Sequence, residues 1–412
     1  MRLRVQGLCA GLLLAGLCVS GADPVELQDR LQLADGLFRR SLFELAAREY
    51  ATLAEAPDVP DLDNVLFRLG ECYRRMKRPA EAEAAYKRLT ETFPSSPNVT
   101  RAYLQRALLL LDAGGASLEP AAAFFEKLTE PAVPPEVRSA ALYHLGTVLE
   151  RLNRPAEALA RYEQLCKEYA ETDYGMYAGL RTAWLLTQTG KPENRRRAMG
   201  IYLELAHKAK DQKVAEEAVY FAAQSALIDT HYEESANLFQ MLRTKYPASP
   251  RVAESALAAG WANYYAGRYK EASELLELIL GNTQHPAREE VLYLKANCLR
   301  QLEQRKEAVE VYARQLAAFP EGRLAKQAWY EKLSTLYRDG KYQEVLRVSA
   351  QLAQPPEAYA DHVYWMGGES AIALQQNDVA VQNCRLLVDK CPKSPFVKDA
   401  LYRLGWLLQK QE

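Results

Sequence analysis

Histidine, cysteine, serine and acidic side chains are the groups in this sequence that could ligate a metal, act as nucleophiles or transfer protons. The five histidines show no metal-ligand spacing with one another or with the cysteines. No glycine-rich phosphate loop and no serine nucleophile elbow is present. The abundant Asp and Glu residues follow helical patterns, which is typical of a solvated surface. We therefore expect no catalytic residue, no metal site, no cofactor and no enzyme activity.

The first 22 residues have the composition of a secretory signal peptide. Two arginines precede an apolar run from Leu8 to Val19, and small residues then lead to Asp23. Cys9 and Cys18 each follow Leu, whereas lipid attachment needs a small residue at that position. The sequence therefore predicts a signal peptide over residues 1–22 and an exported protein that is periplasmic or associated with the outer membrane.

The remaining chain is close to neutral. Removal of residues 1–22 leaves 50 Lys and Arg against 53 Asp and Glu, for a net charge of −3. This balance does not favour a nucleic-acid partner, and no later apolar run approaches the length of a membrane span. The five remaining cysteines are an odd number, so they cannot all pair within the chain. We expect them to be small buried apolar residues: Cys72, Cys166, Cys298, Cys384 and Cys391.

Aromatic residues are the remaining candidates for function, because they bury large areas in binding at a small entropic cost. They make up 9% of the chain and recur at fixed distances from one another. The spacing of these aromatic residues therefore also indicates which secondary-structure elements carry them.

A small residue recurs about every 37 residues along the whole chain. The column is Ala34, Gly70, Ala107, Gly146, Ala183, Ala223, Gly260, Ala296, Leu333, Gly368 and Gly405. A second small residue usually follows twelve positions later, and a mostly aromatic position comes four residues after that, as in Ala82 and Tyr86. Apolar residues between them recur three and four apart, so each repeat is predicted to be a pair of antiparallel helices.

Short links separate the repeats. In "FPSSP", "YPASP" and "CPKSP" the first proline is expected to end a second helix. Ser96, Ser249 and Ser394 are expected to cap the next helix, with the following proline at its first position.

This pattern resembles the tetratricopeptide repeat family over roughly residues 27–412, with a period longer than the usual 34. The resemblance implies an all-α fold: a right-handed superhelical α-solenoid of about ten helix pairs plus a final single helix, spanning residues 23–412. The expected repeats lie near 27–62, 63–99, 100–138, 139–175, 176–215, 216–252, 253–288, 289–325, 326–360 and 361–397, with a partial repeat at 398–412.

In that family the first helix of each repeat lines a concave groove. Aromatic residues recur on these helices, mainly three positions before the small residue and one after it. The expected partner-binding residues are Phe67, Tyr143, Trp184, Tyr220, Trp261, Tyr264, Tyr265, Tyr293, Tyr330, Trp365, Tyr402 and Trp406. The same side chains could instead pack within the groove wall, since tyrosine is common there in the repeat consensus.

The long repeat, the Pro-x-Ser-Pro link and the export signal resemble repeat proteins of the bacterial cell envelope. The resemblance implies a non-catalytic scaffold that binds a protein or peptide in the groove. An alternative is an accessory protein that binds peptidoglycan or an exported polysaccharide on the same aromatics. A third interpretation is a homo-oligomer formed through the last helix, in which Leu401, Trp406 and Leu408 leave an apolar face.

Overall fold

The computed structural model describes residues 24–282, 284–350 and 355–410, and these are α-helical with no strand. The predicted signal peptide lies outside them. The chain divides into two compact units, Met1–Leu185 and Leu186–Glu412, here named the N-terminal unit and the C-terminal unit. The N-terminal unit holds α1 (Pro24–Arg39), α2 (Phe43–Glu55), α3 (Leu62–Arg75), α4 (Pro79–Thr92), α5 (Val99–Ala113), α6 (Leu118–Lys127), α7 (Pro135–Arg151), α8 (Pro155–Tyr169) and most of α9 (Asp173–Gln188).

The C-terminal unit continues the same alternation of helices. It holds α10 (Pro192–Lys208), α11 (Gln212–Ile228), α12 (Tyr232–Lys245), α13 (Pro250–Glu254), α14 (Ala256–Tyr265), α15 (Tyr269–Leu280), α16 (Arg288–Gln301), α17 (Arg305–Ala318), α18 (Ala325–Arg338), α19 (Tyr342–Ala350), α20 (Ala360–Ala373), α21 (Asn377–Lys390) and α22 (Val397–Gln409). Two short 3-10 turns, Gly115–Ser117 and Glu357–Tyr359, precede α6 and α20. Within the two units, nine helix pairs are in contact: α1 with α2, α3 with α4, α5 with α6, α7 with α8, α11 with α12, α14 with α15, α16 with α17, α18 with α19 and α20 with α21. The short α13 directly precedes α14, and α9, α10 and α22 are the remaining described helices.

The small residue of each first helix faces the aromatic residue of the second helix. A Cβ atom added to Gly70 would lie 2.5 Å from Cε1 of Tyr86, and one added to Gly146 would lie 2.5 Å from Cε1 of Tyr162. Both rings are fully buried. In the ninth repeat the sizes are exchanged, since Leu333 is buried in the small column and Ser349 stands at the aromatic position. The absence of a side chain at the glycines thus lets the paired helices close on a ring.

The buried tyrosine hydroxyls are hydrogen-bonded, as burial requires. Tyr86 donates to Glu71 over 2.6 Å, and Tyr312 donates to Asn297 over 2.8 Å. Each acceptor is the residue directly after the small column. Burial alone would raise the pKa of Glu71, but the hydrogen bonds from Arg74 and Tyr86 hold it below its ordinary value. In these two repeats the polar residue after the small column therefore satisfies a tyrosine hydroxyl.

The turn between paired helices places one residue in the left-handed region, two positions before the second helix. Gly267 and Gly340 occupy this position with φ of 77° and 70°. Lys77, Asn153 and Glu303 occupy it in other repeats with φ near 60°. Glycine adopts this conformation without a steric cost, as expected for a residue just after a helix C-terminus.

The link serines differ from the sequence prediction in two of three cases. Ser249 caps α13 as expected, because its Oγ accepts the N–H of Arg251. The predicted capping role of Ser96 and Ser394 is wrong, since α5 begins at Val99 and α22 at Val397. Within the link, Ser96 Oγ accepts the N–H of Asn98 over 3.0 Å and Ser394 Oγ accepts the N–H of Phe396 over 3.3 Å. Ser394 Oγ also donates to Oδ2 of Asp361 over 2.9 Å, and Ser96 makes the equivalent bond to Asp63. These serines therefore tie the link back to the first helix of the preceding repeat.

Candidate binding surface

The twelve predicted partner-binding residues all lie on first helices, and none of them is fully buried. Three are exposed: Tyr265 by 51%, Tyr402 by 73% and Trp406 by 42%. The other nine are partly buried against neighbouring rings or core residues. They contrast with the tyrosines of the second helices, such as Tyr86 and Tyr162, which are fully buried.

Five aromatic residues of the sixth and seventh repeats form a group that we call the central cluster: Tyr232, Trp261, Tyr264, Tyr265 and Tyr269. The ring of Tyr265 stacks between Tyr232, at a centroid distance of 4.7 Å, and Trp261, at 5.4 Å. Tyr264 makes edge contacts with Trp261, Tyr265 and Tyr269 at 5.5–6.0 Å. Burial raises the pKa of Tyr265, and Tyr232 and Tyr264 add to that rise. The cluster is thus one packed aromatic group that still exposes half of Tyr265.

Trp261 is fixed by a hydrogen bond rather than by packing alone. Its indole Nε1 donates to Oε1 of Glu290 over 2.7 Å, and Oε2 of the same carboxylate accepts from Arg323 over 3.0 Å. Trp261 stands directly after Gly260, and the second helix of this repeat carries Leu276 in place of a tyrosine.

An open cleft of about 590 Å³ adjoins the central cluster. Its lining residues are Leu227, Ile228, Thr230, Tyr232, Glu254, Leu257, Ala258, Trp261, Tyr265 and Glu290. Ile228 is 67% exposed there. The first helix of the seventh repeat is interrupted beside the cleft, because Ser255 Oγ bonds to the carbonyl of Arg251 over 2.6 Å. Such back-bonding by serine bends helices, and the bend lies next to Glu254 and Leu257.

A second aromatic group, the distal cluster, lies in the ninth repeat, the tenth repeat and the following link. It comprises Tyr330, Tyr359, His362, Trp365 and Phe396. Tyr330 stacks on Tyr359 with centroids 4.5 Å apart and planes within 10°, and Trp365 stacks on Phe396 at 5.4 Å and 7°. His362 contacts the rings of Tyr330 and Phe396 by its edge, at 5.6 and 5.0 Å. The rings of two predicted residues are thereby covered by two that were not predicted.

Tyr293 packs against the same core cluster as Trp261, Tyr264 and Tyr269 of the central cluster. Burial raises its pKa, and a hydrogen bond with Asn297 opposes that rise. We call the central cluster, the distal cluster and Tyr293 together the aromatic surface of the C-terminal unit.

The other predicted residues are engaged with their own repeats. Phe67 packs on Tyr86, and Tyr143 contacts His144, Tyr162, Tyr174 and Tyr177. The Arg181 guanidinium lies 4.5 Å from the ring centroid of Trp184, and that of Arg251 lies 4.9 Å from the ring of Tyr220. Trp406 has Lys410 over its ring at 5.0 Å, and Tyr402 projects from α22. Outside the aromatic surface, most predicted rings therefore meet aromatic or cationic groups of this chain.

Five residues of the aromatic surface are absent from the predicted set: Tyr232, Tyr269, Tyr359, His362 and Phe396. A signal for Tyr232 exists in the sequence, since it occupies the same position at the start of a second helix as Tyr269 and Tyr342. Tyr359 and Phe396 lie just before α20 and α22, in links whose length varies between repeats. Repeat spacing could not place those two side chains on the surface.

Other chemistry-bearing residues are dispersed. Within the described residues, no group of three or more His, Cys, Asp and Glu could hold a metal, and no helix is long and apolar enough to cross a membrane. None of the five cysteines in these ranges is in a disulfide, and three are buried. Burial raises the pKa of Cys72 and Cys298 to about 12 and that of Cys384 to about 11. These thiols are therefore unreactive in the folded state.

Comparison with known families agrees with the helix-pair architecture. The model of the tetratricopeptide repeat matches residues 64–96 and 140–172. The chain is a tetratricopeptide repeat protein. A second model, described as an outer membrane lipoprotein (YfiO), matches residues 212–309. That segment contains the central cluster and every residue that lines the adjoining cleft. Repeats of this family generally serve as protein-interaction scaffolds and are generally non-catalytic.

Several solved structures are similar to this tetratricopeptide repeat protein. Pseudomonas aeruginosa PilF is 18% identical, with 56% of this chain and 97% of that chain covered and a TM-score of 0.43. A Parabacteroides merdae tetratricopeptide repeat protein is 13% identical, with 83% and 98% covered and a TM-score of 0.33. The repeat domain of P58(IPK) is 14% identical, with 94% and 99% covered and a TM-score of 0.27. These likenesses carry no information on partner or activity. No curated protein matches the chain.

Proposed function

We propose that this protein is a non-catalytic scaffold of the bacterial envelope that binds a protein or peptide partner on the aromatic surface of its C-terminal unit. The observation that carries the proposal is the central cluster with its open cleft, where Ile228 and Tyr265 remain more than half exposed. Aromatic residues around a concave apolar site are the groups that dominate binding energy at protein interfaces.

The envelope location rests on two sequence features. Residues 1–22 have the pattern of an export signal, and the segment that carries the central cluster matches the outer membrane lipoprotein model. Fractionation of cells that express the full chain or a form lacking residues 2–22 tests the location. We expect the full chain in the periplasmic or outer-membrane fraction and the shortened chain in the cytoplasm. The full chain in the cytoplasm would disprove it.

The ring geometry favours a polypeptide over a glycan. Sugars bind by stacking on open ring faces, but here many faces are covered by other rings. The pairs Tyr330 and Tyr359, Trp365 and Phe396, and Trp261 and Tyr265 all have interplanar angles of 20° or less. A partner that inserts side chains into the cleft can use edges and pockets that a sugar plane cannot. Co-sedimentation with purified sacculi tests the alternative, and binding lost on Trp365→Ala would favour the glycan.

Site-specific photo-crosslinking tests the proposed surface. A photoreactive phenylalanine analogue is placed at Tyr265 in the cleft or at Leu278, which is 72% exposed and lines a different cleft. We expect a specific crosslinked protein in envelope preparations from Tyr265 and not from Leu278. The Trp261→Ala change should reduce the yield several-fold, since a central aromatic residue often contributes 2 kcal/mol or more, on the order of a 30-fold affinity change. Equal products from both positions, or none from Tyr265, would disprove the surface.

A further inference from the structure

We infer that the cleft beside the central cluster accepts a cationic side chain, an arginine or lysine, from the partner polypeptide. The inference rests on the proposed function, because it names the chemistry of the partner at the same surface. Three tryptophans that occupy equivalent positions in different repeats support it.

Trp184, Trp261 and Trp406 each stand directly after the small residue of a first helix. Trp184 has the guanidinium of Arg181 at 4.5 Å from its ring centroid, and Trp406 has the ammonium of Lys410 at 5.0 Å. Trp261 has no cation over its ring among the described residues, and neither do Tyr232 and Tyr265. Two of the three equivalent tryptophans therefore receive a cation from their own chain.

The cation of Trp406 lies four residues after it, at Lys410, and the cation of Trp184 lies three residues before it on the same helical face. Arg181 takes this earlier position in the fifth repeat, whereas Ala258 takes it in the seventh. Ala258 lines the cleft. The volume that the Arg181 side chain fills beside Trp184 is thus open beside Trp261, and a guanidinium from outside can enter it.

Acidic groups complete the site. Glu254 and Glu290 line the cleft, and no Lys or Arg does. The adjacent depression, which shares Tyr232 with the cleft, is lined by Glu233, Glu234 and His231, again without Lys or Arg. Trp261 fixes the carboxylate of Glu290. A cation bound here would meet ring faces and carboxylates together, the combination that recognises ammonium and guanidinium groups most strongly.

The carboxylates already pair with arginines of this chain, and these pairs are exchangeable. Arg323 contacts Glu290 at 3.0 Å, but its side chain is 76% exposed. Arg251 contacts Glu254 at 2.7 Å, and Glu254 is 51% exposed. Each pair has one largely exposed partner, and ion pairs near the surface add little net stability, so an incoming cation that also contacts the rings can displace them. Arg323 shows in addition that Glu290 accepts a guanidinium.

Peptide titration tests the inference directly. The probe is a fluorescein-labelled hexapeptide of alternating leucine and arginine, and in matched probes citrulline or glutamate replaces arginine. Citrulline keeps the shape of arginine and removes its charge. We expect the arginine peptide to bind roughly tenfold more tightly than the citrulline peptide, since charge-assisted contacts are worth about 1.5–3 kcal/mol. The glutamate peptide should bind more weakly still.

Three variants locate the effect. Ala258→Arg recreates the fifth-repeat arrangement and should weaken the arginine peptide roughly tenfold by filling the site. Glu290→Gln keeps an acceptor for Trp261 and should reduce the preference for arginine over citrulline several-fold. Glu274→Gln removes a carboxylate that lines the other cleft and should change neither value. Thermal melts show that each variant is folded.

The outcomes separate this inference from the proposed function. Equal affinity for the arginine and citrulline peptides, or unchanged binding by folded Ala258→Arg, overturns the cationic site. If Tyr265 still crosslinks a partner in that case, the proposed function stands. Absence of a crosslinked partner at Tyr265 overturns the proposed function whatever the peptides do. A charge preference lost in Ala258→Arg and Glu290→Gln but kept in Glu274→Gln supports the cationic site.

Discussion

At the scale of single residues, a glycine and a tyrosine on opposite helices form the unit of packing within a repeat. Gly70 with Tyr86 and Gly146 with Tyr162 bring a ring against a backbone that has no side chain. The exchange to Leu333 with Ser349 keeps the combined volume similar. Volume-conserving changes are tolerated in cores, and one-sided changes are not. Each partner therefore restricts the size of the other.

The first prediction concerns Gly146. Gly146→Ala should destabilise the N-terminal unit by up to about 2 kcal/mol, because the new Cβ would lie 2.5 Å from the fully buried Tyr162 ring. Overpacking costs about 1–3 kcal/mol, and the better helix propensity of alanine returns about 1 kcal/mol. Urea denaturation followed by circular dichroism measures the change.

Gly405 supplies the matched control. It belongs to the same sequence column, but an added Cβ would meet no atom within 4 Å. Gly405→Ala should therefore leave stability unchanged or raise it by up to about 1 kcal/mol. Equal losses of unfolding free energy in the two variants would show that glycine is needed at this position for its backbone flexibility and not for the close approach of a ring.

The second prediction concerns pH and His144. Burial lowers the pKa of His144 from 6.5 to about 4, with Asp112 opposing that shift. The unfolded chain therefore binds a proton at higher pH than the folded chain, so stability falls as pH decreases from about 6.5 to about 4. His144→Gln removes this term. Urea midpoints at pH 7 and 4.5 should differ less in the variant than in the parent, and an equal acid loss in both would contradict the prediction.

At the scale of elements, the third prediction uses one position of the second helices. Three residues after the aromatic column, most repeats carry a fully buried leucine, as at Leu89, Leu165 and Leu242. Gln315 occupies that position in the eighth repeat, fully buried, and neither amide atom of its side chain has a hydrogen-bond partner. An unsatisfied buried polar group costs about 1–3 kcal/mol.

Gln315→Leu should stabilise the C-terminal unit by about 1–3 kcal/mol, since it removes that cost and restores the leucine of the other repeats. The reverse change, Leu165→Gln, should destabilise the N-terminal unit by at least as much. Thermal and urea denaturation of both variants against the parent check the pair. A neutral or destabilising Gln315→Leu would mean that the amide is satisfied by groups such as bound water.

The helices were predictable from sequence because every repeat packs its two helices with nearly the same pattern of small and aromatic residues. One Ala-Gly column, one offset of twelve residues and one aromatic position sufficed to give the helix pairs. The bonds of Ser96 and Ser394 to aspartate were not predictable in this way. Their partners Asp63 and Asp361 lie 33 residues earlier, so each bond depends on how the link folds back onto the first helix of its own repeat. The break at Ser255 likewise comes from one local side-chain bond.

The candidate surface was only partly predictable for the same reason. The position after the small residue is set by the repeat, so Trp261 could be placed on a first helix. Its contact with Glu290 joins two repeats, and the ring that covers Trp365 is Phe396 in the link that ends the tenth repeat. Whether a ring is open or covered depends on these contacts. Periodicity alone therefore could not separate the cleft from rings such as Trp184, which Arg181 covers.

At the scale of the whole molecule, the repeats are alike in packing and unlike in surface. Predicted rings of the N-terminal unit meet aromatic or cationic neighbours, whereas the aromatic surface and its cleft lie in the C-terminal unit. In a repeat protein each helix pair is stabilised mainly by its neighbours. A surface feature can thus vary from one repeat to the next without altering the architecture that holds it.

Because each repeat is stabilised by its neighbours, repeats with fewer neighbours should open more easily. The buried cysteines of the C-terminal unit can measure this local opening. Cys298 packs in a core cluster with helices on both sides, from α15 to α18. Cys384 packs in a small cluster with Leu387 and Ala400 against α22, whose residues Leu401 and Tyr402 are exposed. Fewer buried contacts mean a lower free energy of local opening. A thiolate must be exposed to react. At urea concentrations below the main unfolding transition, iodoacetamide should therefore alkylate Cys384 before Cys298.

Mass spectrometry of peptides after timed labelling measures this order. The partly exposed Cys391 should react before Cys384 even without urea, because Cys384 is buried and burial raises the pKa of its thiol to about 11. A Leu407→Ala change weakens the packing of α22, since Leu407 is fully buried. It should speed the labelling of Cys384 and leave that of Cys298 unchanged. Equal acceleration at both cysteines would show that the C-terminal unit opens as one cooperative body, because local opening at α22 cannot reach Cys298.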